Sequence, residues 1–176
     1  MPELSAEAFR RQAGLFATGV CVVTVQQDHQ IFGMTANAFT SVSLDPLLVL
    51  VAFACQAHTL AVVEKTGEFV INVLSREQEN VSRHFAGSAA SLPEIHFEPF
   101  LGGPRLVGSL AAIGCAVDQL ITAGDHRLVV GRVIALSPPP AEGERPLVFW
   151  RAAYWRLPAG AVGPAPALEG EQIFFD

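Results

Sequence analysis

Residues 33–46, between two apolar segments, hold a concentration of side chains that can bind a polar ligand. These side chains are Thr35, Asn37, Thr40, Ser41 and Ser43. A strand that serves only packing does not need so many hydroxyls. Hydroxyls and successive backbone N–H groups can bind phosphate oxygens without a lysine, because such a turn forms an anion-binding concavity. The segment therefore indicates a site for a phosphorylated ligand; the alternative is a polar turn whose hydroxyls satisfy local backbone groups.

Short motifs for other chemistries are missing from the sequence. No GxGxxG follows a predicted strand, and no GxSxG is present. No group of His, Cys or Glu has zinc-binding spacing, so no metal site is predicted. Residues 14–19 have the span of a phosphate loop, but Val20-Cys21 stand where that loop requires Lys-Ser/Thr.

Composition limits the partners and the surroundings of the chain. Its 176 residues suit one domain; 51% are hydrophobic and 16% are charged, which predicts a large subunit interface. The longest apolar runs, such as Leu47–Cys55, are far shorter than the ~20 residues of a spanning helix. The net charge of −6 and the single lysine, Lys65, argue against nucleic-acid binding.

Two features predict a cytoplasmic protein. The segment Met1–Ser5 has neither the basic nor the apolar part of a secretory signal. The cysteines, Cys21, Cys55 and Cys115, are scattered in apolar runs, and we expect them to be small buried residues in a reducing compartment.

The elements that must position the polar segment are mostly strands. A first helix is capped by Ser5, a second spans Leu60–Thr66 after Thr59, and a third follows a capping box, Ser75 with Gln78. Residues 87–104 read as a long loop. The predicted strands are 20–25, 31–36, 47–53, 69–74, 110–121, 127–136, 147–150 and 154–157. Many strands with a few short helices suggest a closed or nearly closed barrel.

Several segments, in order and spacing, resemble the flavin reductase-like, FMN-binding split-barrel family. Besides residues 33–46 they are Phe16–Val20, Val22–Thr24, Phe69–Leu74, Gly124–His126, Gly131–Val133 and Pro146-Leu147 with Tyr154. The resemblance covers roughly residues 8–157. It implies a mainly β split barrel with a few short helices over residues 1–158, followed by an Ala/Gly/Pro-rich tail over 159–176.

The resemblance also implies an activity. Such proteins reduce FMN or FAD with NADH or NADPH, often for a partner monooxygenase, and place the flavin at the interface of a homodimer. Hydride passes from the nicotinamide C4 to the flavin N5, so the protein has to stack the two rings and exclude water. Two alternatives stay open: a flavoprotein oxidase or oxygenase on a small organic substrate, and a non-catalytic flavin- or haem-binding protein.

Matching residues to the family pattern gives a candidate flavin site. Thr35, Ala36 and Asn37 would bind the isoalloxazine edge. Ser41, Val42 and Ser43 would approach the ribityl chain and the phosphate. Thr59 occupies a second phosphate-binding position of the family, where a helix N-terminus suits an anion; its alternative role is an ordinary N-cap. The usual pattern has a serine two residues earlier, where this chain has Ala57.

Further candidates lie later in the chain. Arg83 could pair with a flavin phosphate or belong to a solvated helix face. Phe85 and Ala86 match family positions near the flavin, although Phe85 is also suited to the core. His126, after Asp125 in a hairpin turn, is the candidate catalytic residue that positions flavin or nicotinamide; a histidine in such a turn is otherwise solvent-exposed.

Overall fold

A seven-stranded antiparallel sheet forms the body of the protein, in a computed structural model that describes residues 4–88 and 93–157. The strands of this sheet are β2 (Cys21–Gln27), β3 (Gln30–Ala36), β4 (Phe39–Leu44), β5 (Leu47–Ala54), β6 (Glu68–Val73), β9 (Ala111–Ala123) and β10 (His126–Leu136). Their order across the sheet is β3-β2-β6-β9-β10-β5-β4. A three-stranded sheet comprises β1 (Thr18–Gly19), β11 (Leu147–Trp150) and β12 (Ala153–Arg156), and a separate hairpin comprises β7 (Phe97–Phe100) and β8 (Gly103–Leu106).

The large sheet is curled but not closed. One face of its strands contributes to a single core cluster that includes Val23, Val51, Phe69 and Val129. The end strands β3 and β4 are consecutive in the chain, yet they occupy opposite ends of the strand order. The short link 37–38 therefore crosses the open seam of the barrel.

Helix α2 (His58–Thr66) packs into this core through Leu60, Val62 and Val63. It ends at Gly67, whose φ of 74° suits a left-handed C-cap. The prediction that Thr59 caps the helix is wrong, because Ala57 occupies the N-cap and makes no side-chain capping bond. Thr59 instead lies inside the first turn and is buried.

A second core covers the outer face of β2 and β6. Helix α3 (Glu79–Phe85) and the three-stranded sheet contribute Val81 and Leu147, which pack with Val22 and Leu74. The predicted capping box is confirmed: the backbone N–H of Ser75 donates to Gln78 Oε1 over 3.1 Å, in a 3-10 turn that leads into α3.

Two segments without a local strand pattern form strands. Residues 39–44, of which half are polar, form the edge strand β4, and the predicted loop 87–104 contains β7 and part of β8. Residues 89–92 lie outside the described residues. Long-range bonds fix β8: Thr24 donates to the carbonyl of Pro104 over 2.6 Å, and the N–H of Leu106 donates to buried Asn72 over 2.7 Å. A local sequence pattern cannot predict such contacts, because they join residues that are far apart in the chain.

The cysteines do not share one environment. Cys21 and Cys115 are buried, and burial raises the pKa of each thiol to about 12. Cys55 is exposed in the turn between β5 and α2, so its predicted burial is wrong.

Helix α1 (Ala6–Ala13) has an apolar side that the described part of the chain leaves uncovered. Ser5 caps it as predicted, accepting a hydrogen bond from the N–H of Ala8 over 3.1 Å. No residue of the helix is buried, and Phe9 is 73% exposed. None of the described helices is long and apolar enough to span a membrane. The predicted tail, 159–176, lies outside the described residues.

Candidate functional site

Three separate segments meet at the Ala54 end of β5. The N–H of Ala52 donates to the carbonyl of Ala38 over 3.1 Å, which brings the seam link 37–38 to this end. From the other side, His126 at the start of β10 is the register partner of Ala54. The structure therefore brings Asn37 and His126, two of the predicted site residues, to the same end of one strand.

His126 is held by its neighbours. Its Nδ1 lies 2.6 Å from Asp125 Oδ1, and the N–H of Cys55 donates to the carbonyl of Asp125 over 2.9 Å. The hydrogen bond and the charge of His126 lower the pKa of Asp125, and Arg10 of α1 adds a smaller effect in the same direction. The carboxylate thus stays ionised and fixes the orientation of the half-exposed imidazole.

A cleft of about 720 Å³ lies beside the seam link 37–38, and His126 is not among the residues that line it. It is lined by residues 16–21 and 37–40 together with Leu50 and Val73. The lining residues are mainly apolar, the polar side chains among them are Thr18, Asn37 and Thr40, and the volume falls in the range of cofactor sites. Apolar walls with a few polar groups fit a planar heterocycle such as a flavin ring.

Phe16 lines this cleft and was not predicted as a site residue. The sequence offered one signal: Phe16 extends the apolar side of α1, but the structure leaves it 78% exposed instead of covered by core residues. A large exposed aromatic side chain beside a cleft is suited to contact a ligand or a second subunit.

The side chains of Thr35 and Ala36 do not reach the cleft. Thr35 donates to the carbonyl of Ser82 in α3 over 2.6 Å, on the outer face of the sheet. Ala36 is buried in the barrel core, and its carbonyl accepts a hydrogen bond from Cys21 Sγ over 3.2 Å. Of Thr35, Ala36 and Asn37, only Asn37 lines the cleft.

Ser41, Val42 and Ser43 lie further along β4. Ser41 pairs with Val49 and Ser43 with Leu48, with an irregularity between them. Positions 48 to 54 of β5 span about 20 Å at ordinary strand rise. The structure therefore separates Ser43 from His126 by most of a strand.

Thr59 lies elsewhere, in the first turn of α2. It is 5% exposed, so its hydroxyl is not free on the surface. The neighbouring His58 is exposed, and its ring centroid lies 5.0 Å from that of Phe32.

Arg83, Phe85 and Ala86 lie on or beside α3. Arg83 Nη2 is 2.8 Å from Glu79 Oε1, and its guanidinium lies 4.8 Å from the ring centre of Tyr154, so the cation is already engaged. Phe85 packs against Gly33, where an added Cβ would come within 2.5 Å of its ring. Ala86 is exposed at the end of the helix.

The comparisons with known proteins all indicate the same family. Residues 13–158 match the family model described as "Flavin reductase like domain". An NADH-dependent flavin reductase from Rhodococcus sp is 41% identical over 159 residues, covering 89% of each chain. The reductase component of 4-hydroxyphenylacetate 3-monooxygenase from Thermus thermophilus is 39% identical over 154 residues, covering 86% of this chain and 96% of the relative.

Solved structures agree with the sequence matches. The flavin reductase PheA2 in its native state has a TM-score of 0.83 and 37% identity, covering 88% of this chain and 99% of its own. The NADH:FAD oxidoreductase SgcE6 of Streptomyces globisporus C-1027, in complex with NAD and FAD fragments, has a TM-score of 0.80 and 32% identity, covering 91% and 99%. The predicted split-barrel fold is thereby confirmed.

Proposed function

We propose that this chain, which belongs to the flavin reductase-like family, uses NADH to reduce FMN or FAD and supplies the reduced flavin to a partner monooxygenase. Relatives named NADH-dependent flavin reductases and monooxygenase reductase components support this activity, and their names favour NADH over NADPH. The structural observation that carries the proposal is the mainly apolar cleft of about 720 Å³ that Asn37 lines. The Asp125–His126 pair lies at the end of β5 that the link 37–38 approaches, although neither residue lines the cleft.

The residues of the cleft bind and orient the two reactants. Asn37 holds the polar edge of the flavin ring, and the apolar walls, with Phe16, exclude water from the contact between the rings. His126, oriented by Asp125, positions the nicotinamide or the flavin. Flavin and nicotinamide supply the hydride chemistry themselves, so the protein contributes proximity and orientation.

Strand β4 gives a direction for the rest of the flavin. From Asn37 to Ser41 the chain advances four residues, about 13 Å. A flavin lying along this strand would place its ring at Asn37 and its ribityl chain and phosphate at Ser41, Val42 and Ser43. The buried position of Thr59 supports a packing role. The contact of Arg83 with Tyr154 supports a role in positioning α3 against β12, and the packing of Phe85 on Gly33 supports a role in positioning α3 against β3.

We further propose that the protein works as a homodimer. Val42, Leu44 and Leu47, around the turn between β4 and β5, are 49%, 56% and 44% exposed. Burying such side chains against a second copy would remove an apolar surface from water. The cytoplasmic location stays a prediction from the sequence.

The test is oxidation of NADH by the purified protein with FMN, FAD, riboflavin or no flavin. We expect flavin-dependent NADH oxidation, with NADPH a poorer donor. A flavin-free protein that oxidises NADH at the same rate with and without added flavin would contradict the proposal, as would a complete lack of NADH oxidation by a folded protein.

A further inference from the structure

One polar side chain of the cleft that Asn37 lines has a buried hydroxyl without a hydrogen bond. This side chain is Thr18, in the short strand β1. Its Oγ1 is buried and has no hydrogen-bond partner in the part of the chain that the structure describes. Such a hydroxyl destabilises a fold, because the group has lost its bonds to water and has gained none in return.

The other two polar side chains of the cleft do not share this condition. Asn37 and Thr40 are exposed, so water reaches both of them. The hydroxyl of Thr40 also donates to the carbonyl of Ser41 over 3.1 Å. Thr18 therefore stands out among the polar residues that line the cleft, because its hydroxyl is cut off from water and from the protein.

The hydroxyl of Thr18 can turn towards the cleft without breaking a hydrogen bond. The residue as a whole is only partly buried, although its Oγ1 is covered, so other atoms of Thr18 form its part of the cleft wall. A rotation of about 120° about χ1 moves the hydroxyl to another staggered position. The pairing of Thr18 with Phe149 in β11 is a backbone pairing, which this rotation leaves intact.

The next residue, Gly19, leaves the wall beside Thr18 without a side chain. Gly19 lines the same cleft, and a Cβ added there would meet no atom within 4 Å. Its φ also lies outside the left-handed region, so neither conformation nor packing against the described residues requires a glycine here. A glycine within a strand can mark a place where a ligand approaches the backbone closely.

We propose that the Thr18 hydroxyl turns into the cleft and donates a hydrogen bond to the polar edge of the flavin ring, which lies against the backbone at Gly19. The carbonyl oxygens and ring nitrogens of that edge are suitable acceptors. Binding then satisfies a hydroxyl that the flavin-free fold leaves unpaired. This inference rests on the proposed function, since it assigns a contact to the flavin that the protein reduces.

The experiment measures stability and flavin affinity in Thr18→Val, which replaces the hydroxyl by a methyl group of similar size. In the flavin-free full chain we expect a thermal unfolding midpoint equal to or above that of the parent, because an unpaired buried hydroxyl is removed. The Kd values for lumiflavin, riboflavin and FMN should each rise about tenfold, since all three share the ring. Thr18→Ser keeps the hydroxyl and should bind all three as the parent does.

The matched control is Thr66→Val, outside the cleft. The hydroxyl of Thr66 donates to the carbonyl of Val62 over 3.0 Å, so this variant should have a lower unfolding midpoint and unchanged Kd values. The opposite signs of the two stability changes separate an unpaired hydroxyl from one that the fold uses.

Three results would overturn the assignment. A lower midpoint with unchanged Kd values in Thr18→Val would show that this hydroxyl holds the fold. Weaker binding of riboflavin and FMN but not of lumiflavin would place the contact on the ribityl chain. Loss of a dimer in light scattering, with unchanged Kd values, would assign the hydroxyl to a second copy. If the parent shows flavin-dependent NADH oxidation in any of these cases, the proposed function still stands.

Discussion

At the scale of single residues, Asn37 and His126 support the proposed site best. Asn37 lies in the link between β3 and β4, and His126 begins β10; both lie towards one end of β5. The ring of His126 is oriented by the 2.6 Å contact with Asp125. Residue type and order could indicate both positions from the sequence. The direction of a side chain could not be predicted in the same way. Thr35 donates a hydrogen bond to the carbonyl of Ser82 in α3, and Ser82 lies 47 positions later in the chain.

The first prediction concerns flavin affinity. Asn37→Ala and Ser41→Ala should each raise the Kd for FMN by up to about tenfold, since each removes a hydrogen bond worth about 0.5–1.5 kcal/mol. Titration by flavin fluorescence measures the change. Thr35→Val is the control, because it removes the bond to Ser82 and should lower stability without changing the Kd. If both Ala variants bind flavin as tightly as the parent, the assignment of this strand is wrong.

The second prediction concerns His126. His126→Ala should slow flavin reduction or raise the KM for NADH, with a smaller effect on the Kd for FMN, because the imidazole positions the reactants and does not hold the phosphate. His96→Ala removes a similar histidine–carboxylate pair, with Glu94 at 3.0 Å, from an exposed segment outside the site. Unchanged kinetics in His126→Ala, or equal changes in both variants, would make His126 an ordinary turn residue.

At the scale of elements, the start of α2 explains what the residue at position 57 does, where this chain has alanine and the family pattern has serine. Ala57 is the N-cap and offers no side-chain acceptor. Ala57→Ser should therefore stabilise the protein by about 1 kcal/mol through capping. Chemical denaturation measures this gain, and the FMN and riboflavin affinities, which differ only by the phosphate contact, should stay equal to those of the parent. Tighter binding of FMN alone would instead place the flavin phosphate at position 57.

Elements with a strong local pattern were predictable, and elements fixed by distant partners were not. Strand β5 and the capping box before α3 follow from apolar runs and a short motif. Strand β4 reads as a polar turn because it is an edge strand whose side chains are largely exposed, so it lacks an apolar run. The hairpin β7–β8 depends on bonds from Thr24 and Asn72, which no local window contains.

At the scale of the whole molecule, the open seam and the exposed apolar side chains point to a second copy. Leu44→Asp combined with Leu47→Asp should convert a dimer into a monomer, because it places charge on the proposed interface. Light scattering at micromolar concentration measures the mass. Leu101→Asp, at a residue 60% exposed in the β7–β8 turn, is the control and should remain dimeric. A parent protein that is monomeric at this concentration would contradict the dimer.

The central claim is that this chain catalyses hydride transfer from NADH to flavin in the cleft that Asn37 lines, with His126 positioning the reactants. Anaerobic stopped-flow mixing of the flavin-saturated protein with NADH tests it most directly, because loss of oxidised-flavin absorbance follows the reduction step alone. We predict rapid flavin bleaching with a rate that saturates in NADH, and slower bleaching in His126→Ala under flavin saturation. Bleaching no faster than for free flavin mixed with NADH would contradict the account.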